Sequence, residues 1–253
     1  MYDSHHSDFI LSPLRNILEE GILACKSVGD GIETYPLCEY IMQSLFLKMT
    51  GAQEQKLKCI CWDMATVDYE YRYNFLKSSH GECSNLDEKE NVCSSLLKAI
   101  WERDRSLDAS ELLNVKSITE VAKLTEHLYE NSCLIVWQSR EYASYLKYCY
   151  DGINQIVCSN IAVKEEKQPG KISCKVFHDK FKSTYKKVVY NHRNRCAHNT
   201  FSYQQNKPDL SKLSAPDYDQ CNYFYRFTLL VIIDEIFTKL WRKYIGLYSN
   251  TGI

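Results

Sequence analysis

Turn-forming residues are scarce in this chain: 9 Gly and 5 Pro are spread over 253 residues. A sandwich or barrel needs a turn signal roughly every 8–12 residues, so the elements here have to be long. Apolar residues recur at helical rather than alternating spacing almost throughout, which predicts an all-α chain. With 45% apolar and 25% charged residues, the composition is that of an ordinary soluble protein, and the length allows one large domain or two small ones. The longest apolar run, FTLLVII at 227–233, is stopped by Asp234 and Glu235. A membrane span needs roughly 20 apolar residues, so this run is expected to be a buried core helix, with no membrane contact.

Helix by helix, SPLRNILEEGILACK offers Ser12 as N-cap and Pro13 at the first helical position, with Leu14, Ile17, Leu18 and Ile22 as its apolar stripe. A second helix is predicted through PLCEYIMQSLFLKM and a third through AQEQKLKCICWDMATVDYEYRYNFL. Tyr69, Tyr71 and Tyr73 alternate like a strand, but their helical flanks favour a helix. Further helices are expected around VCSSLLKAIWERD, from Ser117 through SITEVAKLTEHLYE with a capping-box spacing to Glu120, and in a long segment starting at CLIVW. The charged stretch KEEKQPGK at 164–171 is the best internal boundary. It separates an N-terminal helical region, 1–163, from a C-terminal one, 171–253. The latter is predicted to hold one helix over about 173–196, a polar loop, and a final helix over about 217–247. A connection as long as 199–216 is usually functional or disordered, which makes it a candidate substrate-gating loop.

Twelve cysteines could suggest a disulfide framework. The N-terminus MYDSHHSDF, however, lacks the basic and apolar regions of a signal peptide, and Cys38, Cys133 and Cys158 sit among Leu, Ile and Tyr. Reduced thiols in a cytoplasmic protein are the expectation. No C-x-x-C occurs; Cys59 and Cys61 are the closest pair, and no histidine follows at zinc-finger spacing. No metal site and no cofactor are predicted. VGDG lacks the third glycine and preceding strand of a dinucleotide loop and reads as a turn.

Net charge is −1, but it is unevenly placed. Residues 1–40 carry seven acids against Arg15 and Lys26, whereas residues 171–198 carry eight bases against Asp179 alone. On a helical wheel Phe177, Phe181, Tyr185 and Val188 share one face, and Lys175, Lys182, Lys186 and Arg193 the opposite one. Such a stripe is either a solvated face or a track for a phosphate backbone.

The stripe leads into RNRCAHN, residues 193–199. Its chemistry is coherent. An imidazole at His198 titrates near neutrality and can serve as base or acid. A guanidinium at Arg193 stabilises charge building on a phosphoryl oxygen, and Asn194 can orient either. Together these groups suit metal-free RNA cleavage by attack of a ribose 2′-hydroxyl on the adjacent phosphate. Asn194 and His198 share a helix face, but Arg193 and His198 lie about 140° apart on an ideal helix. One chain brings all three together only if the helix ends or bends there, or if Arg193 reaches round; otherwise a second copy has to complete the site. Lys182, Lys186, Arg195 and Asn199 are candidate RNA contacts. His192 and Arg195 are alternatively helix-terminal residues favoured by the dipole, and Cys196 has no oxyanion-hole signature to make it a nucleophile. Tyr142, Tyr145 and Tyr148 are at core or interface spacing rather than base-stacking positions.

The form R-N-x-x-x-H resembles the signature of the HEPN superfamily of helical-bundle proteins. Many of its members are metal-independent endoribonucleases of prokaryotic toxin–antitoxin, phage-defence and CRISPR systems. The resemblance spans roughly residues 173–247. It implies an HEPN-like bundle with additional N-terminal helices, in which Arg193 and His198 match the family's arginine and histidine and Asn194 its polar residue. It further implies a homodimer whose two motifs meet in one composite cleft, an RNA substrate giving 2′,3′-cyclic phosphate ends, and an antitoxin or sensor partner. Tyr203 does not match the spacing of the tyrosine that is adenylylated in related toxins. The family also contains inactive members, so a non-catalytic module binding RNA or a protein partner is the alternative.

Overall fold

A computed structural model of the protein describes residues 6–29, 31–77, 81–130, 132–158, 161, 164–165, 172–198 and 221–249. The chain is all-α. In order, the helices are α1 (Ser7–Leu11), α2 (Leu14–Ala24), α3 (Tyr35–Val67), α4 (Tyr69–Lys77), α5 (Leu86–Arg103), α6 (Ala109–Leu112), α7 (Val115–Glu130), α8 (Leu134–Trp137) and α9 (Ser139–Ile153). After them come α10 (Asp179–Tyr185), a π-helical turn (Lys186–Tyr190), α11 (Asn191–His198) and α12 (Tyr223–Ser249). The only ladder among the described residues pairs Lys164–Glu165 with Ile172–Ser173, antiparallel. The stretch expected to be a boundary thus has its two flanks paired.

Helix α12 is the axis of the bundle. It packs against α3, α5 and α7, and also against α1, α2 and α9. Every residue from Asn222 to Asp234 is buried. A helix apolar on all sides has to be enclosed, and here the remainder of the chain encloses it. One core runs from Ile10 on α1 to Tyr248 on α12. Tyr142 and Tyr145 of α9 join it through edge contacts with Tyr129 and Phe224, while Tyr148 stays half-buried. No described helix is long and apolar enough to cross a membrane.

A buried ion pair fixes the layers around that axis. The Lys56 ammonium of α3 lies 2.8 Å from the Asp234 carboxylate of α12, and the Leu14 amide opening α2 donates to the same carboxylate at 2.7 Å. Lys56 also donates to the Ser12 carbonyl. Ser12 is therefore not the N-cap of α2: Pro13 holds that position in extended backbone, and Asp234 supplies the acceptor that a capping side chain would otherwise provide.

Several helix boundaries differ from the sequence expectation. The predicted second and third helices are one 33-residue helix, α3, which passes through Gly51. Glycine inside a helix costs about 1 kcal/mol relative to alanine, a deficit that the burial of Phe46, Met49, Leu57 and Ile60 on either side easily exceeds. The break comes instead at Asp68, with φ −110° and ψ 111°; its carboxylate accepts the Tyr71 amide and starts α4. Tyr69, Tyr71 and Tyr73 are helical. Helix α5 begins at Leu86, six residues before Val92, because the Asn85 side chain caps the Glu88 amide and Glu88 reaches back to the Ser84 amide. Helix α7 starts at Val115, capped by Asn114 through the Ser117 amide; Ser117 lies inside it and accepts from Lys239.

The buried pair gives a direct stability test. Lys56→Met or Asp234→Leu alone leaves an uncompensated buried charge and is expected to lower the unfolding free energy by about 3–5 kcal/mol. The double variant removes both charges and is expected to lose less than either single one, the residue being the unpaired Leu14 amide at about 1–3 kcal/mol. Urea denaturation of the three variants measures this. A double variant as unstable as the sum of the singles would show that the two groups act separately.

Candidate active site

The helix carrying the motif starts later than its sequence suggests. Residues 174–178 read as helical by apolar spacing, yet Val157 and Phe177 form an antiparallel bridge. The Glu90 carboxylate of α5 accepts both the Val176 and Phe177 amides at 2.9 Å. With those amides taken by a group 86 residues away, the helix begins at Asp179, where the His178 ring caps the Lys180 amide. From there Phe181, Tyr185, Val188 and Val189 are buried and hold the helix to the bundle.

The π-helical turn then changes the register. One extra residue in a turn rotates everything after it by about 100° relative to a straight α-helix. The turn is tied to the axis helix by Arg226, which is buried on α12 and donates from Nε to the Val188 carbonyl at 2.8 Å. Burial lowers the Arg226 pKa from its usual value.

The basic stripe is consequently not one free face. Lys175 precedes the helix and pairs with Asp179 at 2.5 Å. Lys182 is held by Glu90 and, at 3.0 Å, by Asp87, both on α5. Burial lowers the Lys182 pKa, but its hydrogen bonds to these two carboxylates outweigh that and leave it raised. Arg193 turns to α3 and pairs with Glu54 at 2.9 Å. Of the candidate RNA contacts on this helix, Lys186 is exposed, and Arg195 is half-buried with its guanidinium 3.3 Å from His192 Nδ1. Asn199, Tyr203 and the loop 199–216 lie outside the described residues.

Within the motif, the Arg193 side chain is 24% exposed and that of Glu54 10%. Arg193 Nη1 also makes a long contact, 3.4 Å, to the Asn194 side-chain oxygen. Helix α11 runs unbroken through the motif and has His198 as its last residue. The backbone is helical at both 193 and 198, positions about 140° apart on an ideal helix. Arg193 faces the interior of its own bundle.

Two residues that sequence reasoning missed complete the surroundings of Arg193. Glu54 pairs with Arg193, and its charge also acts on Lys89, a lysine of α5 that is only 1% exposed. Burial pulls the Lys89 pKa down to about 8, Glu54 pulls it back up, and Arg193 adds to the lowering. Burial likewise pushes the phenol of Tyr185 up, with Glu54 contributing. A signal existed for Glu54: it stands three and seven residues before Leu57 and Cys61, on the buried side of α3, where a carboxylate needs a partner. Lys89 sits in LDEKEN, which reads as solvated charge, and nothing local marks it.

His192 is a packing residue. Its ring lies 5.1 Å from Phe46 and 5.3 Å from Tyr223, and Nε2 is 3.1 Å from the Tyr223 hydroxyl. Burial, with Arg226 and Arg195 nearby, pushes its pKa down to about 2. Cys196 Sγ lies 3.5 Å from His192 Nε2, but burial raises the thiol pKa, the opposite of what a nucleophile needs. No three His, Cys, Asp or Glu side chains among the described residues are grouped to hold a metal ion. Comparison with known proteins finds no matching family model, no matching curated protein and no matching solved structure.

The packed state of His192 fixes a pH dependence. Its folded pKa lies below the unfolded value of 6.5, so between about pH 2 and 6.5 the unfolded chain binds a proton that the folded chain refuses. Stability therefore falls as pH drops through that window, by up to about 1.4 kcal/mol per pH unit. His192→Phe keeps a ring between Phe46 and Tyr223 and is expected to flatten this slope by close to one proton. Unfolding free energies from pH 4 to 7 measure it; equal slopes in both proteins would mean that the ring is not the group refusing the proton.

Proposed function

We propose that the chain is a metal-independent endoribonuclease of HEPN type, acting through Arg193 and His198 with Asn194 in support. The observation that carries the reading is the seating of the motif. R-N-x-x-x-H occupies the last turns of a helix in an all-α bundle, and its arginine is held in place by Glu54. A guanidinium fixed before substrate arrives loses little freedom when it meets a phosphate, which is how preorganised charge lowers a barrier.

In this reading the His198 imidazole takes the proton of a ribose 2′-hydroxyl. The 2′-oxygen bonds to the adjacent phosphorus, the bond from phosphorus to the 5′-oxygen breaks, and a 2′,3′-cyclic phosphate remains. An imidazolium, the partner's His198 in a homodimer, protonates the leaving 5′-oxygen. Arg193 opposes the negative charge that builds on the phosphoryl oxygens. The 140° between Arg193 and His198 within one chain is the reason for involving a second copy. An antitoxin or sensor protein and a defence role belong to the same proposal, on resemblance.

A specific observation favours a second reading, a non-catalytic helical module. Arg193 and Lys182 are each paired with carboxylates of their own chain, which is what structural cations do. Incubating labelled single-stranded RNA with the purified protein in EDTA separates the two. The endoribonuclease is expected to release cyclic-phosphate ends, and His198→Ala to lower the rate by about 10²- to 10⁴-fold with the unfolding midpoint unchanged. Arg193→Lys keeps the charge but not the fork and is expected to lose turnover as well. Cleavage that is equal in wild type and His198→Ala would remove the motif from the chemistry. RNA binding without cleavage in either would favour the module.

A further inference from the structure

Helices α3, α4 and α5 and the loop before α5 enclose a half-open cleft of about 960 Å³. Its floor is apolar and soft: Cys61, Met64, Cys83 and Val92 are buried, and Tyr71 and Phe75 stack at 5.7 Å. Trp62 stands at its lip, 66% exposed. Cys83 holds a positive φ of 56°, the only non-glycine residue among those described to do so, and such backbone persists only where the surroundings impose it.

Charge decides what the cleft can take. Five carboxylates line it (Asp68, Glu70, Glu82, Glu88 and Glu102) against two lysines, Lys58 and Lys98. Both lysines are already matched, Lys58 by Glu82 and Lys98 by Glu102 at 3.8 Å. The remaining excess is negative and would repel a phosphate chain, so this cleft is not a path for RNA. A neutral apolar ligand would gain nothing from the carboxylates. Aromatic faces beside carboxylates instead attract a cation twice, through the ring quadrupole and through charge. The volume is also within the range of roughly 300–1,000 Å³ that holds small organic ligands.

We propose that this cleft binds a flat organic cation, a small molecule with an aromatic or fused-ring body and a protonated or quaternary nitrogen. The body lies on Tyr71, Phe75 and Met64, and the cationic nitrogen lies toward Glu70 and Trp62. Two fluorescent probes of similar size and opposite charge test this on the intact protein: thioflavin T, a flat cation, and anilinonaphthalene sulfonate, an anion. Thioflavin T is expected to bind saturably at one site, at least about tenfold more tightly than the anion. Glu70→Lys is expected to weaken thioflavin T about five- to tenfold and to tighten the anion. Asn91→Trp, which fills the cleft from an exposed position on α5, is expected to abolish thioflavin T binding. The substituted positions are exposed, and an unchanged unfolding midpoint confirms that each variant folds. Equal or tighter binding of the anion, thioflavin T binding indifferent to both substitutions, or no saturable binding would each overturn the proposal. His198→Ala serves as control and leaves thioflavin T binding unchanged.

Discussion

The carboxylate of Asp234 is the point from which the bundle is hung. An acid enclosed this fully is tolerable only if its oxygens are occupied, and they are, by the Lys56 ammonium and the Leu14 amide. Those donors come from two different helices, so the carboxylate that satisfies them also positions α2 and α3 on α12. The burial cost of the ion leaves its pKa above the usual carboxylate range even with Lys56 beside it. The pair contributes position more than net stability, in keeping with the near neutrality of many buried ion pairs.

Helix α3 carries that constraint to the motif. Glu54 and Lys56 are two residues apart, about 160° around the helix, so one faces the motif helix while the other faces the axis. Gln53 adds a bond to the Leu230 carbonyl on the axis side. Any rotation of α3 that displaced Glu54 from Arg193 would also pull Lys56 from Asp234. The π-helical turn contributes from the other direction, since Arg226 of α12 holds the Val188 carbonyl. Arg193 is thus oriented by two helices, both referenced to α12, and a substitution far from the motif can disturb it through either.

The sequence shows what is periodic and hides what is contributed from afar. Leu14, Leu18 and Ile22 are buried on the stripe their spacing defines, and the apolar run at 227–233 is the buried helix expected of it. The two helices expected on either side of Gly51 are one, because the apolar residues flanking it are buried. The extended backbone at 174–178 could not be read locally, because its cause is Glu90. Nor could the π-helical turn: a straight wheel placed Lys182, Lys186 and Arg193 on one line, whereas the structure sends Lys182 to α5 and Arg193 to α3. The site's candidates were legible as residue types. The partner of Arg193, Glu54, was not, since pairing across 139 residues leaves no mark within either segment.

Pairing in the resting chain does not by itself separate a catalytic arginine from a structural one. A structural arginine can be fully buried, as Arg226 is, with its Nε donating to the Val188 carbonyl. Arg193 differs: about a quarter of its side chain remains open to solvent, and its contact with Asn194 is a long one. A carboxylate holding one nitrogen of the guanidinium orients the fork while leaving an edge that a phosphate can approach. Full removal from water would have strengthened the ion pair and closed that approach. The intermediate burial of Arg193 thus lets one guanidinium fasten α11 to α3 through Glu54 while keeping part of its side chain in contact with solvent.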